Sequence, residues 1–220
     1  MKSFVKGIWS RTKKEPEARA LDHPANLLIG DMIQLSDSFG LPSRLRDQTF
    51  KVIGISTYQF EHQFSTSFSL EGLNQDFIDL TINKDGGRET AAFSLSIDRS
   101  IVEQIFDLDE FSCIFDGEDP AQLSPCNTLD MEAWLADSYH QESRGERGFF
   151  YESDYRASRP PAFEDSGEPF DYYYLESGNG QHGIEIEVYD GGETEVSLTL
   201  YRPIEDIKEL WPASTKDSKS

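Results

Sequence analysis

The chain is poor in cysteine. Its 220 residues include only Cys113 and Cys126, and their spacing does not form a C-x-x-C motif. A disulfide framework needs several paired cysteines and a thiolate zinc site needs closely spaced pairs, so the sequence indicates neither. Such sparse cysteine is typical of a protein that folds in a reducing compartment.

Long apolar runs are absent as well. No segment approaches the roughly 20 consecutive apolar residues that a membrane-spanning helix requires. The first residues also lack the uninterrupted apolar stretch of about seven or more residues found in a secretory signal. We therefore expect a cytoplasmic protein, either soluble or peripheral to a membrane.

Basic residues are outnumbered by acidic ones. The sequence has 20 Lys and Arg against 41 Asp and Glu, a formal net charge of −21. Phosphate backbones are held by cations, so this balance argues against nucleic acid as a partner. Aromatic residues nevertheless make up 12% of the chain, and this apolar bulk predicts a folded body rather than a disordered acidic chain.

Recognisable catalytic and cofactor motifs are also missing. The sequence contains no G-x-S-x-G, no G-x-x-x-x-G-K-[ST] and no H-E-x-x-H. Gly178, Gly180 and Gly183 have the spacing of a dinucleotide fingerprint, but a strand pattern follows them where the fingerprint requires a helix. We interpret them as part of a hairpin turn. The acidic residues between 107 and 119 lack the spacing of an EF-hand, so they do not indicate a metal site. Taken together, these absences predict no catalytic residue, no cofactor and no metal site.

What the chain does contain is a cationic leader on an acidic body. Residues 1–14 carry five cations and no acid, and their apolar residues recur at helical spacing. This pattern predicts a short amphipathic helix that docks on an anionic membrane surface or a protein partner. The docking residues would be Phe4, Ile8, Trp9, Lys2, Lys6 and Arg11. The alternative is that the leader docks on the protein's own body, because so short a helix forms only when it is bound somewhere.

The body predicts an α+β fold that is mostly β, with antiparallel sheets or meanders and a few short helices. Residues 1–24 form the leader and a linker, 25–125 an N-terminal β half, 126–212 a C-terminal α+β half, and 213–220 a disordered tail. Alternation and turn residues predict strands over 31–36, 49–60, 67–71, 77–82, 93–97, 170–176, 183–189 and 195–201. Capping residues and apolar spacing predict helices after Asp98, over 130–139 and over 204–211. Residues 144–161 are expected to form a long irregular crossover.

That crossover is locally cationic and aromatic. Arg147 and Arg156, beside Phe150 and Tyr155, have the chemistry to bind an anionic or carboxylate-bearing ligand, because guanidinium groups bind carboxylates through two hydrogen bonds and stack on rings. The structural interpretation is that the arginines pair with the chain's own carboxylates while the rings anchor the segment to the sheet. The pattern favours the structural interpretation.

Three segments together resemble the YjfK-like family of uncharacterised bacterial proteins. They are the Leu28-Ile29-Gly30-Asp31-Met32 opening, the stretch from Arg147-Gly148-Phe149-Phe150 to Asp154-Tyr155-Arg156, and the ending from Glu185-Ile186-Glu187-Val188-Tyr189 to Leu200-Tyr201-Arg202-Pro203. The resemblance implies no catalytic residue. Members are typically encoded near homologues of phage-shock protein A, so it implies such a homologue as partner and an accessory role in envelope maintenance, peripheral to the inner membrane.

The sequence therefore leads us to expect a non-enzymatic binding or regulatory protein. Its leader would dock on a membrane or a protein partner, and its acidic body would engage another protein. The alternative is a small domain or enzyme that binds an anionic ligand through residues 144–161.

Overall fold

The structure is a computed structural model that describes residues 19–73, 75–116, 119–128, 130–161 and 167–214. The predicted leader helix and most of the predicted tail lie outside these residues. The described chain is mostly β and antiparallel with two α-helices, which confirms the expected fold class. The strands are β1 Met32–Leu35, β2 Thr49–Gln59, β3 Phe64–Gly72, β4 Phe77–Asp85, β5 Arg88–Ile97, β6 Gln122–Leu123, β7 Tyr139–Tyr151, β8 Glu168–Ser177, β9 His182–Tyr189, β10 Thr194–Pro203 and β11 Ile207–Trp211.

All the strands described belong to one antiparallel sheet. Their order is β11-β1-β2-β3-β4-β5-β10-β9-β8-β7-β6. The predicted N-terminal and C-terminal halves share this sheet, because β5 pairs with β10 and β1 pairs with β11. Each half contributes a continuous run of neighbouring strands, and pairings between the halves join these runs into one sheet.

The sheet closes on itself. Thr57 to Gln59 of β2 pair with Phe149 to Tyr151 of β7, so the eight strands from β2 round to β7 form a ring. Side chains reinforce this seam: the Tyr151 hydroxyl donates a hydrogen bond to Gln59 Oε1 at 2.9 Å, and the Thr57 hydroxyl donates one to the Ser153 carbonyl at 2.8 Å. Closure gives the strands one outward and one inward face.

The outward face carries the main hydrophobic core. Alternate residues of the ring strands, such as Phe93, Ile184 and Leu198, are at most 2% exposed and pack with the helices. The helices are α1, Arg99–Ile105, and α2, Leu108–Asp116. The α1 helix was predicted with Asp98 as its N-cap residue; Asp98 does occupy that position, but its side chain makes no capping hydrogen bond. The α2 helix was not predicted; its N-terminus is satisfied by Asp107 Oδ1, which accepts hydrogen bonds from two backbone N–H groups at 2.9 and 3.1 Å.

Three of the predicted elements are wrong. The segment expected to be an irregular crossover contains most of β7, a strand interrupted by two register shifts. Residues 130–139 form only a three-residue 3-10 helix, Glu132–Trp134, before β7 begins. The predicted closing helix at 204–211 is a 3-10 turn followed by β11, because Met32 to Leu35 of β1 offer this segment a strand partner.

Asp31 joins the two flanks of the described chain. It is 1% exposed, and its carboxylate accepts hydrogen bonds from the backbone N–H groups of Leu28 and Ala213, both at 2.7 Å. The Arg19 guanidinium binds the same carboxylate. This one side chain therefore holds the entry to β1 beside the exit from β11.

Candidate functional site

The inward face of the ring lines a cavity of about 680 Å³. The strand alternation that sends Ile184 and Ile186 outward turns Glu185 and Glu187 inward. Side chains from β2, β3, β4, β5, β8, β9 and β10 reach this one space. Its inward-facing members are mostly hydroxyl, carboxylate and aromatic residues, namely Tyr58, Phe60, Ser65, Ser67, Asp79, Thr81, Ser94, Ser96, Tyr172, Glu185, Glu187, Glu195, Ser197 and Tyr201.

The cavity is elongated along the strands. Exposed Asn83 of β4 lines one end of the cavity, and exposed Ser96 of β5 lines it towards the other end. Asn83 pairs with Thr90 of β5, so both ends can be located along β5. At about 3.3 Å per residue, the six steps from position 90 to position 96 span roughly 20 Å along β5. Residues exposed to solvent line both ends, so the inner space communicates with solvent.

Four carboxylates share this space. Glu187 of β9 and Glu195 of β10 are direct cross-strand partners, and Glu185 lies two residues from Glu187 on the same strand. Asp79 comes from β4, and its partner Ser94 is in turn opposite Thr199 of β10. Like charges directly opposite on neighbouring strands are destabilising, so the arrangement works against the fold unless something else compensates.

Burial makes this repulsion stronger. Desolvation raises the pKa of Glu187 to about 7, although the Tyr189 hydroxyl donates a 2.6 Å hydrogen bond to it. Burial also raises the pKa of Glu185, and a 2.7 Å hydrogen bond from the Thr199 hydroxyl opposes this rise. The pKa of Asp79 is raised for the same reason, against a 2.8 Å hydrogen bond from Ser69. Near neutral pH the cavity therefore holds carboxylates that gain from any nearby positive charge.

Aromatic rings form part of the cavity wall. Phe60 and Tyr172 lie with ring centroids 5.3 Å apart, and the Tyr172 ring stacks on Tyr174 at 6.4 Å. Tyr174 meets Tyr201 edge to face at 6.5 Å. Gly183 leaves room for this group, because a Cβ there would lie 2.7 Å from the Tyr174 ring. The cavity thus combines carboxylates with ring faces, the two features that attract an organic cation.

No cation within the described residues neutralises this site. None of the ion pairs there includes Asp79, Glu185, Glu187 or Glu195. Two cationic residues do line the cavity. Lys84 pairs with Glu89 at 2.7 Å and Arg156 pairs with Asp154, so both already have a carboxylate outside it.

The arginines predicted to bind an anionic ligand have partners inside the chain. Arg147 donates hydrogen bonds to Asp171 at 3.1 Å and to Asp190 at 2.9 Å. Arg156 donates to the carbonyl oxygens of Ala25 and Leu27, at 2.6 and 2.8 Å. Both guanidinium groups therefore bind groups of the chain itself.

The two aromatic residues predicted beside them lie against other rings. Phe150 packs on Tyr58 at 5.2 Å, and Tyr155 meets Tyr151 edge to face at 5.3 Å. Tyr155 and Arg156 also line an open surface pocket of about 610 Å³, whereas Arg147 does not. The structure therefore does not gather all four predicted residues into one site.

The predicted docking residues Phe4, Ile8, Trp9, Lys2, Lys6 and Arg11 lie outside the described part of the chain, and their docking stays a prediction. The described part has one group of three metal-ligand side chains with ligand atoms within 4.8 Å of one another, formed by His140, Glu142 and Glu176. Its members are exposed or half-buried, and His140 already contacts Glu142 at 2.8 Å.

Sequence reasoning missed the cavity. The alternation of Glu185 and Glu187 with Ile184 and Ile186 predicts a sheet with one wet face, but it has the same form whether that polar face meets bulk water or an enclosed space. A usable signal was the run of small inward-facing residues in β3 and β5, such as Ser67, Ser69 and Ser94. Small side chains leave space inside a closed sheet.

Comparisons of the chain with models of protein families, with curated proteins and with solved structures found no match. Among the described residues, no helix has the length and apolar character needed to cross a bilayer. The case for a function therefore depends on the geometry and chemistry of the cavity.

Proposed function

We propose that this chain is a non-enzymatic binding protein that holds a small organic cation inside its closed sheet. One observation carries the proposal: Glu187 and Glu195 are direct cross-strand partners in a cavity that also holds Glu185 and Asp79, with no neutralising cation among the described residues. A cationic ligand between these groups would turn a repulsive arrangement into an attractive one. Local rules of stability are most often broken where a site serves function.

The walls support a cation rather than an anion. An ammonium group offers hydrogen-bond donors, and the inward-facing residues supply carboxylate and hydroxyl acceptors, such as those of Asp79, Ser94 and Glu185. An anion would meet four acidic residues, while the two cationic residues in the lining, Lys84 and Arg156, are already paired with other carboxylates. The neighbouring ring faces of Tyr58 and Tyr172 add cation–π attraction and cover apolar parts of a ligand.

The proposal is tested by isothermal titration calorimetry with choline, agmatine and spermidine, at about 150 mM salt to screen the exposed acids. We expect at least one cation to bind the wild type at one site, and Glu185→Gln/Glu187→Gln to abolish that binding. Glu205→Gln/Glu209→Gln, which neutralises two exposed carboxylates, is the matched control. Absence of binding by all three compounds, or equal loss in both double variants, would overturn the proposal.

A further inference from the structure

The spacing of the cavity carboxylates carries information about the shape of the cation. Glu185 and Glu187 are two residues apart on β9, which places their backbone positions roughly 7 Å apart. Glu195 faces Glu187 from β10, and Asp79 reaches the same space from β4. Along β10, Asp79 is level with Thr199, Glu185 with Ser197 and Glu187 with Glu195, so the negative charge covers four residue steps, roughly 13 Å, rather than one point.

This distribution does not fit a single metal ion. A divalent cation draws its ligand atoms to about 2.0–2.6 Å from one centre, so these atoms lie close to one another. In the described part of the chain, the one group of three ligand atoms this close is His140, Glu142 and Glu176. The four cavity carboxylates are not members of it, so the cavity favours a ligand whose positive charges are themselves spread out.

The extent of these carboxylates favours a linear ligand. They lie over roughly 13 Å towards the Ser96 end of the cavity, whereas Lys84 lines the Asn83 end. A compact cation such as choline would meet only some of the four carboxylates. A chain lying along the strands would pass Asp79 on one wall and Glu185 and Glu187 on another.

The wall chemistry suits such a chain. The lining carboxylates and hydroxyls, such as those of Glu185, Ser94 and Ser197, are of the types that accept hydrogen bonds from ammonium groups. The rings of Tyr58, Phe60 and Tyr172 offer apolar surface to methylene groups between them.

From this geometry we infer that the ligand is a linear polyamine, a chain of amino groups separated by three or four methylenes. This inference rests on the proposed function, because it specifies the cation that the same cavity would hold. Ammonium groups spaced along such a chain could each lie beside one of these carboxylates, and a nearby positive charge favours the ionised form of a carboxyl group. Such a chain would also relieve the repulsion between Glu187 and Glu195 by placing an ammonium group beside each.

The test is a calorimetric series on the full chain with putrescine, spermidine and spermine, alongside choline and Mg²⁺, at about 150 mM salt. Each added ammonium group gains a charge-assisted hydrogen bond, so we expect Kd to fall about tenfold from the diamine to the triamine and again to the tetra-amine. Choline and Mg²⁺ should bind more weakly than spermidine.

Two variants assign this series to the cavity. In Glu185→Gln/Glu187→Gln, Kd should no longer fall as the number of amino groups in the ligand increases. Glu195→Gln, which changes an exposed and therefore tolerant position, should weaken spermine about tenfold and putrescine much less. Glu205→Gln/Glu209→Gln should leave all affinities unchanged.

The outcomes separate the two proposals. If choline binds as tightly as spermine and both depend on Glu185 and Glu187, the cavity binds a cation but the polyamine inference fails. The inference also fails if Mg²⁺ binds more tightly than spermine. If no cation binds, or if the exposed-acid control loses affinity equally, both proposals fail.

Discussion

Neutralising Glu187 should stabilise the unliganded protein at alkaline pH. Burial raises the pKa of this carboxyl from 4.5 to about 7 in the folded chain. At roughly 1.4 kcal/mol per pKa unit, this difference corresponds to about 3 kcal/mol between protonated and ionised forms. The side chain also reaches solvent inside the cavity, so we reduce the expected effect to about 1–2 kcal/mol.

The direction of the pH effect follows from proton binding. Between pH 4.5 and about 7 the folded protein holds a proton on Glu187 that the unfolded chain has released. The contribution of Glu187 to stability is therefore complete below pH 4.5 and is lost as the pH rises through 7. Glu187→Gln should leave unfolding nearly unchanged at pH 5 and raise the free energy of unfolding at pH 8.5 by about 1–2 kcal/mol.

Thermal and urea unfolding of the wild type and Glu187→Gln at pH 5 and pH 8.5 measure this difference. For a chain of this size, we expect the melting temperature at pH 8.5 to rise by about 2–8 °C. Glu209→Gln on β11 is the control, because that residue is exposed on a strand outside the cavity. The reasoning would be refuted if Glu187→Gln were less stable than the wild type at pH 8.5. It would also be refuted if the difference in stability between variant and wild type were the same at pH 5 and pH 8.5.

Three further predictions concern other parts of the molecule. Arg202→Ala should lower the free energy of unfolding in urea by about 2–4 kcal/mol, because it removes the guanidinium 2.8 Å from Asp206 and leaves that carboxylate, 12% exposed at its side chain, with only the Ser36 hydroxyl as a side-chain partner. A loss below about 0.5 kcal/mol would contradict this. Gly183→Ala should cost about 1–3 kcal/mol in thermal unfolding, because its Cβ would lie 2.7 Å from the Tyr174 ring, whereas Gly191→Ala, with open space around its Cβ, should cost less. Deleting residues 1–14 should abolish salt-sensitive sedimentation with anionic vesicles, and equal binding by the truncated protein would sink the membrane role of the leader.

Much of the sheet could be predicted from local patterns. Strands β8, β9 and β10 were found because their alternation is regular and glycine turns separate them. The β4 and β5 hairpin was found from the turn at Gly86 and Gly87, both of which have positive φ. Alternation and turn glycines are local patterns: each depends only on residues within or next to the element it predicts. A single sequence is therefore enough to reveal them.

The missed elements depend on distant partners. Strand β7 has one register shift at Glu142 and another at Gly145, so its apolar and polar residues do not alternate regularly. Strand β11 has helix-compatible spacing in Ile207 and Leu210, and only its pairing with β1 makes it extended. Tertiary context overrides local propensity in both places.

The cavity was hidden for the same physical reason. Its existence depends on the short seam between β2 and β7, whose residues lie about ninety positions apart in the chain. Without that pairing, Glu185 and Glu187 belong to an ordinary solvated face, as the alternation suggested. With it, the same residues are enclosed, and their pKa values rise.

The position of Asp31 makes the two flanks of the described chain thermodynamically interdependent. Its single carboxylate is shared by Arg19 before β1 and Ala213 after β11. A molecule that draws Arg19 away leaves the carboxylate with one charge-bearing partner fewer and so alters the free energy with which Ala213 is held. Because such coupling is reciprocal, anything that engages the segment after β11 must change, by the same amount, how firmly the segment before β1 is held.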